Sequence, residues 1–394
     1  MNKAFKIKLI DCQESDLREI GFDKSYIHKG LDKHRFKTLK ICGLNCAQAN
    51  ILKQTALTSG TDCAVHREVI TGKVETSDCI LSATIAQFQK ISEKLKFQPL
   101  KLSVLGEQIK DILHQNLPET IIRDLAIDWS KRPYIMGILN VTPDSFSDGG
   151  EYNTIEKALK HYKEMIEQGA DIIDIGGEST RPYSNKISPE EEIQRVIPVI
   201  KEIRKYDKET IISIDTRNAQ TAKEAISSGV DIINDVSAME WDNDMLPLIK
   251  ELKCPVILNH SSAAPDTMQD NTQYTDVVDD IYDYFQKKLD ILYENGIEKS
   301  QVIIDPGIGF GKTTRQNYEI IKRLQEFKTL DCPILVGHSR KNFLKETILS
   351  DIREDLDAAT MVVSQKLIEN KVNIIRVHNV KEHKMLLNIC QSLF

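Results

Sequence analysis

The chain has 394 residues, 41% of them hydrophobic and 28% charged, an ordinary globular composition with enough apolar material for a large core. A net charge of −7 argues against a general nucleic-acid binder, which would be basic, but permits an anionic small substrate held by local basic groups. No stretch approaches the roughly 20 apolar residues of a membrane span, no secretory pattern opens the chain, and the eight cysteines form no Cys-x-x-Cys pair. A cytoplasmic protein with reduced thiols and no membrane partner is expected.

Residues 1–120 carry strand-like runs at 36–42, 62–65, 78–81 and 100–104, and helix-like runs at 45–59 and 85–95. They predict a smaller α/β domain in which Asn45 is a helix cap. Residues 113–120, with Pro118, predict a linker, and 121–133 the approach to a second domain, which makes the division 1–120 and 121–394.

From residue 134 a β-branched run followed by an amphipathic stretch recurs eight times. The runs lie at 134–139, 171–175, 210–214, 231–233, 255–258, 301–304, 333–336 and 372–377, and their continuous apolar character suits strands buried on both faces. Helices are expected at 154–169, 218–229, 244–252, 276–295, 317–328, 355–370 and 380–393, with one more opening at 188–191. Ser188-Pro189-Glu190-Glu191 reads as a cap, a first-turn proline and acids at the positive helix end. Strict alternation predicts a closed (β/α)8 TIM barrel; an open doubly wound sheet is the alternative and would need a switch point.

In such a barrel the site gathers at the C-terminal ends of the strands. Here those ends carry Asn140, Asp174 to Arg181, Asp215-Thr216-Arg217, Asn234-Asp235, Asn259-His260, Asp305-Pro306-Gly307, Gly337 to Lys341, and Arg376 with His378. A lone polar residue at a strand end is an ordinary loop cap, but eight polar ends converge on one pocket. Asp215, Asn234, Asp305 and Lys341 offer acceptors and donors for a flat nitrogen heterocycle. Arg181, Arg340, Arg376 and His378 offer an anion site. The pocket therefore suggests a phosphorylated heteroaromatic substrate. The run 305–312 ends Gly-Lys like a P-loop, but Pro306 occupies the place of its first glycine, so a turn that approaches a ligand is the better reading.

The segments 136–150, 174–182 (Asp-Ile-Gly-Gly-Glu-Ser-Thr-Arg-Pro), 305–312 and 339–341 (Ser-Arg-Lys) together resemble the dihydropteroate synthases from about Trp129 onward. The resemblance implies a transferase of folate biosynthesis that joins 6-hydroxymethyl-7,8-dihydropterin diphosphate to 4-aminobenzoate, forming 7,8-dihydropteroate and pyrophosphate. It implies that Asn140 contacts a Mg²⁺ on the diphosphate. Asp215, Asn234, Asp305 and Lys341 would hold the pterin, and Arg376 and His378 the diphosphate. Thr180, Arg181, Pro182 and Ser339 would line the 4-aminobenzoate side. Phe146 and Asp148 would sit on a lid, and Phe310 would shape the wall. Lys341, Asp305, Arg376 and His378 would carry the chemistry, and a homodimer is expected through late barrel helices.

Three residues depart from the family pattern: Tyr183 after Thr-Arg-Pro, Asn259 in a usually Met-rich segment, and Asn379 after His378. A pterin-dependent methyltransferase is the nearest rival, but it needs no diphosphate site. A catalytically silent scaffold would not need polar residues at all eight strand ends.

Overall fold

The β-branched runs after residue 134 form eight parallel strands: β6 (Tyr134–Asn140), β7 (Ile172–Gly176), β8 (Ile211–Asp215), β9 (Ile232–Asp235), β10 (Val256–Asn259), β11 (Val302–Asp305), β12 (Leu335–Gly337) and β13 (Ile374–Val377). This computed structural model describes residues 5–113, 117–142, 151–178, 186–263 and 272–393. The ladder order is β11-β10-β9-β8-β7-β6-β13-β12, and a parallel bridge between Ile304 and Ile334 closes the seam. Most strands run one residue later than their apolar runs suggest. The ladder includes the terminal polar residue, because its backbone pairs whatever its side chain does.

The period of two then sorts the side chains. Ile173, Ile175, Ile212, Ile214, Ile233, Leu258, Ile304 and Val377 face outward into the helix-covered core. The helices include α6 (Glu151–Glu167), α7 (Pro189–Tyr206), α8 (Ala219–Ser227), α9 (Met245–Leu252), α10 (Val277–Glu294), α11 (Thr314–Lys322), α13 (Arg353–Glu369) and α14 (Val380–Leu393). A short helix missed in the sequence, α12 (Asn342–Ile348), follows Lys341. Ser188 caps α7 as expected, its hydroxyl accepting from the Glu191 amide. Asn218 precedes α8 but caps nothing with its side chain.

Inside the barrel, Met136, Ile172, Ile211, Ile232, Ile257, Ile303, Leu335 and Ile374 make an apolar ring, one residue from each strand. Below it a hairpin of β4 (Thr120–Ile122) and β5 (Leu125–Ile127) brings Ile122, Ile127 and Trp129 into the same cluster. Thr120 therefore belongs to the hairpin rather than to a linker. The Trp129 indole N–H donates to the Thr120 hydroxyl at 2.7 Å, which satisfies the polar edge of a fully buried ring. Asp171 and Asp231, read as strand residues in the sequence, lie just before β7 and β8's neighbour β9 and bolt this end. Arg132 binds Asp171 at 2.6 and 2.8 Å, and Arg123 binds Asp231 at 2.7 and 2.8 Å.

The chain divides into two compact units, Met1–Gln115 and Asn116–Phe394. The first contains α1 (Glu14–Glu19), α2 (Ile27–Leu31), β1 (Phe36–Asn45), α3 (Cys46–Leu57), β2 (Asp62–Ala64), β3 (Thr76–Thr84), α4 (Ile85–Leu95) and α5 (Leu102–Leu113). Its antiparallel sheet has the order β1-β3-β2. Cys79, Leu81 and Ala83 on alternate positions of β3 pack with Leu52, Phe88, Ile91 and Ile109 from the helices. Asn45 caps α3, accepting from the Gln48 amide at 2.9 Å. The strand expected at 100–104 is instead the start of α5. Leu102 and Ile109 bury with helical spacing, and a short apolar run alone does not distinguish the two.

Candidate active site

Two residues above the apolar ring, the same inward-facing positions read Ile138, Asp174, Ser213, Asn234, Asn259, Asp305, Gly337 and Arg376. One step along six of the eight strands thus takes the barrel interior from hydrocarbon to polar groups. Asp215, Asn234, Asn259, Asp305, Phe310, Lys341 and Arg376 line one pocket there.

Arg376 organises it. Its Nε donates to Asp174 Oδ2 and its Nη2 to Asp215 Oδ2, each at 2.6 Å. Asp174 also accepts from Asn234 Nδ2 at 3.0 Å, so one fully buried carboxylate aims both a cation and an amide. Two buried carboxylates share one guanidinium. Burial pushes the Asp215 carboxyl up, against the pull of Arg376 and helped by the Asp174 charge. Asp215 Oδ1 and Asp174 Oδ1 are buried with no hydrogen-bond partner among the described residues. Buried polar atoms are usually paired, so these two oxygens stand out as acceptors that the described residues leave without a donor.

The β11 turn supplies the opposite wall. Asp305 Oδ1 accepts from the Gly307 amide at 2.8 Å, and burial pushes its carboxyl up while Lys341 opposes. Gly307 has φ +69°, and a Cβ there would fall 1.9 Å from the His260 carbonyl oxygen, so glycine is required. A Cβ on Gly309 would strike the Lys341 stem at 2.7 Å. Lys341 lies across this turn, donating to the Ile308 carbonyl, with Nζ 4.0 Å from the centroid of the Phe310 ring. Burial pushes its ammonium down to about 7, with Asp305 and Asp215 pulling the other way.

Lys312 ends the P-loop question. It is buried, and its ammonium donates to the Gly307 and Phe310 carbonyls, both at 2.9 Å, and meets His260 Nδ1 at 3.0 Å. It ties the turn to itself and to β10.

Of the other expected residues, Ser339 and His378 come together, the Ser339 hydroxyl lying 3.1 Å from His378 Nδ1. Asn140 ends β6, in register with Gly176, which is itself in register with Asp215. Phe146, Asp148, Thr180, Arg181 and Pro182, and the departure at Tyr183, lie outside the described residues.

Not every polar strand end reaches the pocket. Arg340, expected at the anion site, instead grips Asp357 at 2.6 and 2.8 Å. Asp235 faces outward and caps its own turn through Ser237 and Met239. Arg217 pairs with Glu178 at 2.6 and 2.9 Å. Thr216, Asn218 and Thr221 all donate to the buried Glu192. His338 turns toward Ser364 at 2.8 Å. Each sits one position out of phase with the inward set, or beyond the strand. Of Asp174 and Asn259, named as strand ends but given no role, Asn259 lines the pocket and Asp174 stands behind it, fully buried, holding Arg376 and Asn234. The signal for Asp174 was a charge inside the run Ile172-Ile173-Asp174-Ile175; for Asn259 it was its place two residues after Ile257.

Residues 136–378, more than half of the chain, match the family described as pterin binding enzyme. A dihydropteroate synthase of Synechocystis is 38% identical over 288 residues, covering 73% of this chain and 98% of that protein. A probable bifunctional folylpolyglutamate synthase/dihydropteroate synthase of Haloferax volcanii is 36% identical over 354 residues, covering 87% of this chain; the chain spans 41% of that longer protein. The crystal structure of a Clostridium difficile dihydropteroate synthase, solved in the presence of pteroic acid, superposes with a TM-score of 0.64 at 41% identity, covering 68% of this chain and 99% of that one. With a (β/α)8 barrel's polar layer gathered under these matches, the chain belongs to the pterin binding enzyme family as a dihydropteroate synthase, a transferase of folate biosynthesis.

Proposed function

We propose that the pocket condenses 6-hydroxymethyl-7,8-dihydropterin diphosphate with 4-aminobenzoate, releasing pyrophosphate. The observation that carries this is the set Asp215, Asn234 and Arg376, tied together with the fully buried Asp174 by bonds of 2.6 to 3.0 Å and lining one pocket with Asp305 and Lys341. Asp215, Asn234, Asp305 and Lys341 hold the heterocycle, and the unpaired carboxylate oxygens accept its N–H groups.

In the reaction the bond between the pterin methylene carbon and the diphosphate oxygen breaks, and the arylamine nitrogen bonds to that carbon and loses a proton. Arg376 and His378 face the departing anion, with charge fixed in place before the bond breaks. Asp215 and Asp305 favour the cationic character left on the heterocycle. The arylamine needs no activated serine or cysteine. We place Thr180, Arg181, Pro182 and Ser339 on the 4-aminobenzoate side, Phe310 in the wall, and Phe146 and Asp148 on a covering loop that excludes water.

Asn140 is assigned to Mg²⁺. Its carboxamide oxygen is a hard donor, and a Cβ on Gly176 would stand 3.5 Å from it, so the glycine keeps the space beside it open. Among the described residues no three His, Cys, Asp or Glu form a metal cluster. That suits a cation that takes most of its ligands from water and substrate phosphate. When bound, Mg²⁺ would neutralise charge on the leaving diphosphate.

We further propose a cytoplasmic homodimer. All eight cysteines are unbridged, which suits a reducing compartment, and no described helix is long and apolar enough to cross a membrane. Val362 on α13, 70% exposed, lines a mostly apolar hollow with Ile348, Ala358 and Ala359, edged by Ser350 and Asp355, that a second copy would cover. Val362→Lys should then yield a monomer in analytical ultracentrifugation.

The deciding experiment is a coupled assay of pyrophosphate release from the pterin diphosphate, with and without 4-aminobenzoate and with excess chelator. Release that requires both the arylamine and a divalent cation supports the proposal; release indifferent to the arylamine refutes it.

A further inference from the structure

Asn259 departs from the family pattern, yet it stands in the inward-facing layer. Its neighbour Leu258 faces the outer core, Ile257 faces the apolar ring, and Asn259 pairs in register with Asp305 on β11. It is 5% exposed and lines the pocket. Its Oδ1 is buried without a hydrogen-bond partner among the described residues. A barrel interior gains nothing from such an atom, because an unpaired buried acceptor is costly and an apolar side chain of similar size is not.

The amide is also held. A Cβ on Gly307 would come within 2.7 Å of Asn259 Oδ1, so the β11 turn packs closely against it. That turn is locked by the Asp305 carboxylate and the Lys312 ammonium. Asn259 therefore shares one turn with the carboxylate that faces the heterocycle.

We propose that Asn259 is a specificity residue that accepts a hydrogen bond from an N–H on the edge of the bound pteridine, beside Asp305. This rests on the proposed heterocycle pocket and adds a polar reading point where an apolar wall would read shape alone.

The test is calorimetric titration of the full-length protein with 6-hydroxymethylpterin, which lacks the diphosphate, using wild type, Asn259→Leu and Asn259→Ala. Losing one hydrogen bond should weaken binding about tenfold in both variants, while the KM for 4-aminobenzoate stays at the wild-type value. The alanine variant, which adds no bulk, decides the matter should the leucine variant not fold. Wild-type affinity for 6-hydroxymethylpterin in the alanine variant would overturn the assignment, as would an equal loss for both substrates, the mark of a merely structural role. A wild type that binds 6-hydroxymethylpterin but releases no pyrophosphate would sink the proposed reaction, and the titration would still decide Asn259.

Discussion

The two ends of the barrel use the same residue types for opposite purposes. At the lower end, Asp171 and Asp231 each receive a bidentate arginine and a backbone amide from the neighbouring strand, Ile135 of β6 and Ile212 of β8 respectively. Each charge is matched, and the apolar ring and Trp129 seal the floor. At the upper end, Asp174 and Asp215 divide one guanidinium between them, and each keeps an oxygen unpaired. The lower carboxylates are satisfied by the fold. The upper ones are left short by the fold, and in the proposed function a ligand would complete the pocket they support. Stability and function are thus written at opposite ends of the same strands, about two residues apart.

The largest expected effect comes from breaking the upper end at its centre. Arg376→Met leaves Asp174 and Asp215 buried without a counter-charge, a loss on the order of 3–5 kcal/mol if both stay ionised. Turnover should fall by at least about 10²-fold, since charge stabilisation at the reacting centre goes with it. Pyrophosphate release and thermal denaturation would both register the change. Retained turnover would remove Arg376 from the site.

Trp129→Ala tests the lower end. It should cost about 3–5 kcal/mol of stability through the cavity it opens, read in denaturant titrations, while kcat of the folded fraction holds. A selective loss of kcat would mean the floor is not merely structural.

Lys341→Met separates charge from packing through pH. The folded Lys341 titrates near 7 against an ordinary 10.5. Between these values the unfolded chain holds a proton that the folded chain has lost, so this residue makes stability rise with pH across that window. The methionine variant should lose that slope and bind the heterocycle more weakly. An unchanged slope in pH-dependent melts would show Lys341 to be solvated.

The smallest effect is expected from removing the first unit. It has its own core, and the Synechocystis relative is matched over 98% of its length by 73% of this chain. A protein of residues 116–394 should therefore keep its kcat/KM. A collapse in steady-state kinetics would assign the first unit a part in the reaction.

Much of this was legible in the amino-acid order. Eight β-branched runs separated by amphipathic stretches specify a barrel because strands buried on both faces must be apolar throughout, and a charge within such a run, as at Asp174, is costly without a purpose. The family motifs marked Asn140, Asp215, Asn234, Asp305, Lys341 and Arg376 as a set. Which polar strand ends share the pocket was not legible. Arg340 and Arg376 read alike in sequence, as do Asp235 and Asp215. Arg340 adopts φ +56° and turns to Asp357 on α13, and Asp235, one position out of phase on β9, accepts from the Ser237 and Met239 amides of its own turn. Register and partners distant in the chain settle such choices, because the two-residue period fixes the face of the sheet only once strand pairing has fixed where each strand stands. Sequence alone determined that a polar layer would crown this barrel; the tertiary structure decided that Asp174 and Asn259 belong to it, because only closure of the strands brings their side chains to the same depth.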